Sequence, residues 1–315
     1  MKFVYALISS GKDYYTEQAV ISMHSLRLHN PDCHITLVTD EATLNTFTDN
    51  RSLIKNYVTE MITLDVPADF TPTQKSRYIK TSLRQNVKGD FMYLDNDTVV
   101  TASLAELQQL ECEMGAILDC HGMAGRNGQL KQYLEHTGKA FWNYDYYFNG
   151  GVWYVKDTER VHRFFRDWHR IWDEERVKYG LSIDQPAFAQ ANVANDFLIT
   201  EISGIYNCQI VASGSKKIIC KAKVLHYFSE IKTDYFPLKE ERILKSVRDT
   251  GINDEVAYII ENPLTALLVK SRLLGGEELR IYDSPIVILA RKLSRDCRWT
   301  NRIAQCIYGL FGYRI

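Results

Sequence analysis

The stretch Phe91-Met92-Tyr93-Leu94-Asp95-Asn96-Asp97-Thr98-Val99-Val100 sets two carboxylates one residue apart at the end of an apolar, β-rich run. In a strand, residues i and i+2 face the same side, so Asp95 and Asp97 can converge on one point. Two carboxylates forced together repel unless a proton or a cation lies between them. A divalent metal is the usual solution, and a metal held this way usually meets a phosphate. Acidic pairs at strand ends also serve as plain turn and cap chemistry, so the rest of the chain decides between the two.

Upstream, residues 3–8 read as a strand buried on both faces, followed by a polar loop, Ser9 to Asp13. Tyr15 to His29 carries an apolar face at helical spacing (Ala19, Val20, Met23, Leu26, Leu28), and Asn30-Pro31-Asp32 stops it. A second strand over 35–39 completes a β-α-β unit, which predicts a right-handed crossover and a parallel sheet. Residues 41–56 are expected to be helical, 61–64 a third strand, and 76–85 the helix leading into the Asp-X-Asp strand. Downstream, a short helix is expected over 103–110 and strands over 115–118, 151–155 and 223–227. Residues 121–147 show no sustained pattern, and irregular chain of that length is usually functional. A long helix over 159–179 offers Phe164, Phe165, Trp168, Ile171 and Trp172 to a core, and a further helix starts at Asp184. The fold class is therefore α/β, with a mostly parallel mixed sheet flanked by helices.

Composition narrows the function. At 315 residues with 45% hydrophobic residues the chain can hold one large domain or a domain plus an appendage. A net charge of −1 argues against a nucleic-acid partner. Seven cysteines without a Cys-X-X-Cys pair read as reduced thiols of a cytoplasmic protein. Residues 1–8 read as a buried strand and not as a signal peptide, and no run is long enough to span a membrane. From Leu264 onward nine basic residues face four acids, a net +5 against −6 for the preceding chain. Such a basic, aromatic segment can lie on an anionic membrane surface, at the inner face of the membrane, or cap the sheet as a helical subdomain. The expected division is a catalytic domain over 1–235 and a mainly helical, basic extension over 236–315.

Taken in order, these stations resemble glycosyltransferase family 8, a retaining group of nucleotide-sugar enzymes, over roughly residues 3–232. The resemblance implies a GT-A fold and a UDP-sugar donor. It places Tyr15 over the uracil, with Ser9 or Ser10 on the base or ribose. Tyr78-Ile79-Lys80 resembles the family's Tyr-X-Arg/Lys, which puts Lys80, or Arg77 one turn away, on the sugar or a phosphate. Asp95 and Asp97 become metal ligands, and Asn96 approaches the ribose. The third ligand is a distant histidine, matched by His226, with Lys232 six residues on; Ser229 stands where the family has glycine, and Thr233-Asp234 where Pro-Trp often follows. Two carboxylates, an imidazole, phosphate oxygens and water suit Mn²⁺ or Mg²⁺. Asp119 matches an aspartate that binds sugar hydroxyls. Phe148-Asn149-Gly150-Gly151-Val152 resembles Phe-Asn-(Ala/Ser)-Gly-Val, with Asn149 on a hydroxyl and Gly150 and Gly151 letting the backbone approach the sugar. Asp184-Gln185 resembles the pair beneath the anomeric carbon, so Asp184, Gln185 and Lys232 are the candidate catalytic residues. The expected reaction is metal-dependent, retaining transfer of a hexose to a glycan or glycolipid of a bacterial cell surface. Competing readings are a sugar nucleotidyltransferase, a non-catalytic sugar-nucleotide-binding module, and a priming protein that glycosylates itself.

Overall fold

A computed structural model describes residues 1–122, 128–138, 146–212, 215, 218–230, 236–268 and 284–286. Lys232 and most of the basic segment from Leu264 lie outside the described residues. The strands are β1 (Lys2–Leu7), β2 (His34–Thr39), β3 (Glu60–Thr63), β4 (Phe91–Leu94), β5 (Thr98–Val100), β6 (Met114–Leu118), β7 (Phe148–Val155), β8 (Ile199–Glu201), β9 (Cys208–Gln209) and β10 (Val224–His226). The α-helices are α1 (Tyr15–His29), α2 (Glu41–Leu44), α3 (Pro72–Thr81), α4 (Leu83–Asn86), α5 (Gly128–Thr137), α6 (Glu159–Tyr179), α7 (Gln185–Ala194), α8 (Glu241–Thr250), α9 (Asp254–Glu261) and α10 (Pro263–Leu268).

Seven strands form the main sheet in the order β3-β2-β1-β4-β7-β6-β8, and β5-β10-β9 form a small second sheet. In the main sheet β7 alone runs against its neighbours β4 and β6, while the other pairings are parallel. Both faces are covered, which is why β1 reads as a continuous apolar run. Phe3, Tyr5 and Leu7 enter one core with α1, α8 and α9. Val4 and Ala6 enter the other, with Ile79, Leu83 and the α6 aromatics Phe164, Phe165, Trp168 and Trp172.

This topology gathers a site. Parallel strands end at one edge of the sheet, where the loops after β1 and β4 emerge. The antiparallel β7 starts at that same edge. Its register pairs Leu94 with Val152, and Asp95 N–H donates to Gly151 O at 2.8 Å. Beyond Leu94 the chain turns and enters β5, whose pairing with β10 sets His226 opposite Thr98. Residues more than a hundred positions apart thus meet at the end of β4.

Three local expectations are corrected. Asp95 and Asp97 converge because a turn joins β4 to β5, not because they alternate along one strand. Residues 41–56 are not one helix: Asp40 caps the short α2 by accepting Thr43 N–H, and Asp49, at φ 46°, opens a separate 3-10 helix over Asp49–Asn56. The patternless region 121–147 contains α5. Among the described residues no helix is long and apolar enough to cross a membrane.

Candidate active site and metal centre

Asp95, Asp97 and His226 each offer a ligand atom, and these atoms lie within 4.8 Å of one another. His226 Nε2 is 3.2 Å from Asp97 Oδ1, and the ring is almost fully buried. Burial alone would push the Asp97 carboxyl upward, but the His226 ring and a hydrogen bond from Ser229 N–H (2.8 Å) outweigh it and hold it well below the usual carboxylate range. Phe228 stacks on His226 at 3.9 Å between centroids and 11° between planes. Phe228, not Ser229, takes the left-handed backbone of this loop (φ 50°), so the serine at the family's glycine position does not need a positive φ.

The set fits a hard divalent cation in donor chemistry, two carboxylates to one imidazole. Space fits as well. A Cβ on Gly151 would overlap His226 Cε1 and lie 2.7 Å from Asp95 Oδ2, so the glycine leaves open the room between those ligands.

The cluster lies in a cleft of about 730 Å³, within the size range of small-molecule sites. One wall is cationic. The buried Lys80 Nζ is 3.0 Å from Asp95 Oδ1 and 3.8 Å from Asp184 Oδ2, and Arg77 Nε is 3.1 Å from Asp184 Oδ1. Asp184 raises Arg77 further, so its charge is permanent. Although Asp184 precedes α7, its side chain makes no cap hydrogen bond. Its carbonyl instead accepts from the Trp168 indole at 3.0 Å, which ties the residue to the aromatic core. The buried Oδ2 accepts no hydrogen bond among the described residues.

The opposite wall offers polar groups. Asn149 Nδ2 donates to Asp119 Oδ1 (3.0 Å), and Gln185 Oε1 accepts from Gly150 N–H (3.0 Å). Asn96 donates to Ala6 O (3.0 Å), leaving its buried Oδ1 without a partner among the described residues. Tyr15, about one-third exposed, lines the mouth and donates to Glu230 at 3.2 Å. The cleft therefore gathers Tyr15, Arg77, Lys80, Asp95, Asn96, Asp97, Asp119, Asn149, Gly150, Gly151, Asp184, Gln185 and His226.

Ser9 and Ser10 do not line it. Asp13 accepts from the Ser9 hydroxyl (2.6 Å), the Ser10 hydroxyl (2.8 Å) and the Ser10 N–H (2.6 Å). The loop is clasped from outside by two guanidiniums that share the buried Glu17: Arg51 and, from α8, Arg248, each 2.8 Å from Oε1. Arg51 also donates to Ser10 O at 2.8 Å. Nothing in the sequence marks these arginines, Asn207 or Gln209 as part of the site. Tyr93 alone carried a signal: it precedes Asp95 by two, and its hydroxyl donates to Asp95 Oδ1 at 2.5 Å.

Below Asp119 the backbone turns sharply, with Cys120 and His121 both left-handed (φ 50° and 53°). His121 Nε2 accepts Gln209 N–H at 3.0 Å, and burial lowers its pKa from 6.5 to about 4. As pH falls below 6.5 the unfolded chain takes up a proton that the folded chain refuses, so stability declines through the window from 6.5 to about 4. Urea unfolding at steps across that window should show the decline, and His121→Gln should make it shallower; an unchanged slope would contradict the assignment.

No protein-family model matches the chain, and no curated protein sequence matches it. Solved structures do. The apo structure of WbbM, a bifunctional glycosyltransferase, superposes with TM-score 0.56 at 16% identity, over 82% of this chain and 51% of that one. An active-site mutant of LgtC gives 0.51 at 16% identity, over 81% and 98%. The apo glycosyltransferase GlyE of Streptococcus pneumoniae TIGR4 gives 0.50 at 17% identity, over 84% and 63%. The chain spans about half the length of WbbM. At these identities the likeness defines the fold, and the fold is that of glycosyltransferases, the expected GT-A arrangement.

Proposed function

We propose that this protein is a metal-dependent, retaining glycosyltransferase of the family 8 type that moves a hexose from a UDP-sugar to a glycan or glycolipid acceptor. The observation that carries the reading is the meeting of Asp95, Asp97 and His226, from separate segments, within 4.8 Å in a cleft walled by Arg77 and Lys80. Binding alone would not call for that combination of ligand set and cations.

In this reading Asp95, Asp97 and His226 hold Mn²⁺ or Mg²⁺, which when bound supplies positive charge against the diphosphate leaving group. The chain's own residues do the rest. Tyr15 gives a planar face for the uracil, and Asn96 Oδ1 an acceptor for the ribose. Lys80 and Arg77 offset phosphate charge. Asp119 and Asn149 orient sugar hydroxyls. The anomeric carbon gains positive charge as its bond to the diphosphate loosens, and the Asp184 carboxylate supplies the negative potential that stabilises it. Gln185, whose side-chain oxygen is taken by Gly150 N–H, holds the sugar-side backbone. Lys232 is proposed as a further contact to the leaving group. The acceptor is proposed to be a cell-surface glycan or glycolipid, which the net +5 segment from Leu264 favours through attraction to an anionic membrane.

The nucleotidyltransferase alternative is disfavoured by the loop after β1. Asp13 takes the Ser10 N–H (2.6 Å) and Tyr15 N–H (3.2 Å), so an internal carboxylate occupies donors that a phosphate cradle would need. The test is a screen of nucleotide-sugars for Mn²⁺-dependent product release. UDP is the expected product; pyrophosphate released from a nucleoside triphosphate and a sugar 1-phosphate in a parallel assay, or no turnover with any donor and acceptor, would overturn the proposal.

A further inference from the structure

Asn207 is fully buried between the carboxylate–imidazole cluster and the residues facing the sugar. Its carboxamide bridges the two: Nδ2 lies 2.9 Å from Asn149 Oδ1, and Oδ1 lies 3.1 Å from His226 Nδ1. The direction of these bonds follows from fixed groups. Gly151 N–H approaches Asn149 at 2.9 Å, and a backbone N–H can only donate, so the atom it meets is the Asn149 oxygen. At its other end Asn149 faces Asp119 Oδ1 at 3.0 Å, an acceptor, which requires its amide nitrogen there. Asn149 is thus oriented from both ends. The Asn207 atom facing the Asn149 oxygen must therefore be the NH₂, which turns the Asn207 oxygen toward His226. That oxygen has no proton to give, so His226 Nδ1 must carry one.

We infer that Asn207 is a positioning residue that fixes His226 as the Nδ1–H tautomer and aims the Nε2 lone pair at the metal position beside Asp97. A neutral imidazole carries one proton, so donating it through Nδ1 frees Nε2 as a ligand. The same bridge runs from His226 through Asn207 and Asn149 to Asp119, joining the metal ligand to the sugar wall by three side-chain hydrogen bonds. The inference rests on the metal reading above.

The first test is the imidazole ¹⁵N–¹H spectrum of the metal-free, ¹⁵N-histidine-labelled chain at about pH 8, above the ordinary imidazole range, with His226→Gln giving the assignment. A proton on Nδ1 is expected, since Asn207 Oδ1 can only accept one; an Nδ1 that carries no proton overturns the inference whatever the metal does. The second is Mn²⁺ affinity, read from the electron paramagnetic resonance of the free ion. Asn207→Leu should weaken binding by about 10- to 100-fold, the range for loss of such an outer partner. Asn207→Asp keeps an acceptor for Nδ1–H and should bind more tightly than the leucine variant. If the unaltered chain binds Mn²⁺ and Asn207→Leu binds it equally well, the positioning role alone falls. If the unaltered chain binds none, the metal reading falls and this role with it. Should Asn207→Leu fail to fold, the spectrum of the unaltered chain decides.

Discussion

Gly151→Ala is expected to lower turnover about 10³-fold and to remove Mn²⁺ binding, while the protein stays folded. Gly151 is not among the positive-φ glycines, so space and not backbone conformation demands it. An added Cβ would overlap His226 Cε1, lie 2.7 Å from Asp95 Oδ2 and 3.0 Å from Asn149 Oδ1. The backbone is poorly placed to retreat. Gly151 O accepts Asp95 N–H at 2.8 Å, and Gly151 N–H donates to Asn149 at 2.9 Å. The side chains must give way instead, and those are two proposed metal ligands and a proposed sugar contact. Displacing a reacting group by about 1 Å costs about 10²-fold. Losing the charge stabilisation of the metal, about 4 kcal/mol, is itself about 10³-fold and overlaps with the displacement, since the displaced groups would be the ligands. Gly150→Ala is the control: its Cβ would meet Gln185, Asp184 and Lys80 only at 3.8–3.9 Å. It should crowd the sugar and raise KM while leaving Mn²⁺ affinity alone. Parallel Mn²⁺ titrations of UDP release, with thermal melts of each variant, separate the two. Full activity in Gly151→Ala would remove the cluster from the mechanism.

The parts of this site visible in the sequence were those built by local pattern. The apolar run before Asp95 marked β4, and the β-α-β spacing of residues 3–39 marked the parallel sheet. Spacing within a segment, as from Asp95 to Asp97, was also legible. What joined Asp95 to His226 was the register of β10 on β5, and β5 is only three residues long. A strand so short carries no periodicity of its own. Asn207 and Gln209 escaped for a similar reason, since they stand in a 3-10 turn and a two-residue strand. The break at Asp49 was hidden because a residue with φ 46° need not be glycine. Nothing in the sequence links Arg51 with Arg248; packing alone brings both onto the buried Glu17.

Asp184→Asn should cut turnover by about 10²- to 10³-fold with donor affinity within a few-fold of the parent and Mn²⁺ affinity unchanged. Two neighbouring residues, Asp184 and Gln185, could serve the anomeric carbon, and their hydrogen bonds tell them apart. Gln185 Oε1 is engaged by Gly150 N–H at 3.0 Å. The Asp184 Oδ2 atom is buried, makes no hydrogen bond among the described residues, and would lie 3.9 Å from a Cβ on Gly150, the residue proposed to face the sugar. A buried carboxylate acts across a low effective dielectric, so its charge is felt strongly by a carbon turning oxocarbenium-like. Asparagine keeps the shape and the backbone carbonyl that accepts Trp168 N–H at 3.0 Å, and removes only the charge. It also leaves Arg77 and Lys80 less compensated, so a lower melting temperature is expected. That cost is separable from catalysis by assaying well below the melt. The decisive comparison is single-turnover UDP release at saturating donor and Mn²⁺. A slowed chemical step with intact binding assigns the charge to the transition state. A variant as fast as the parent would move that role to Gln185 or to the substrate itself.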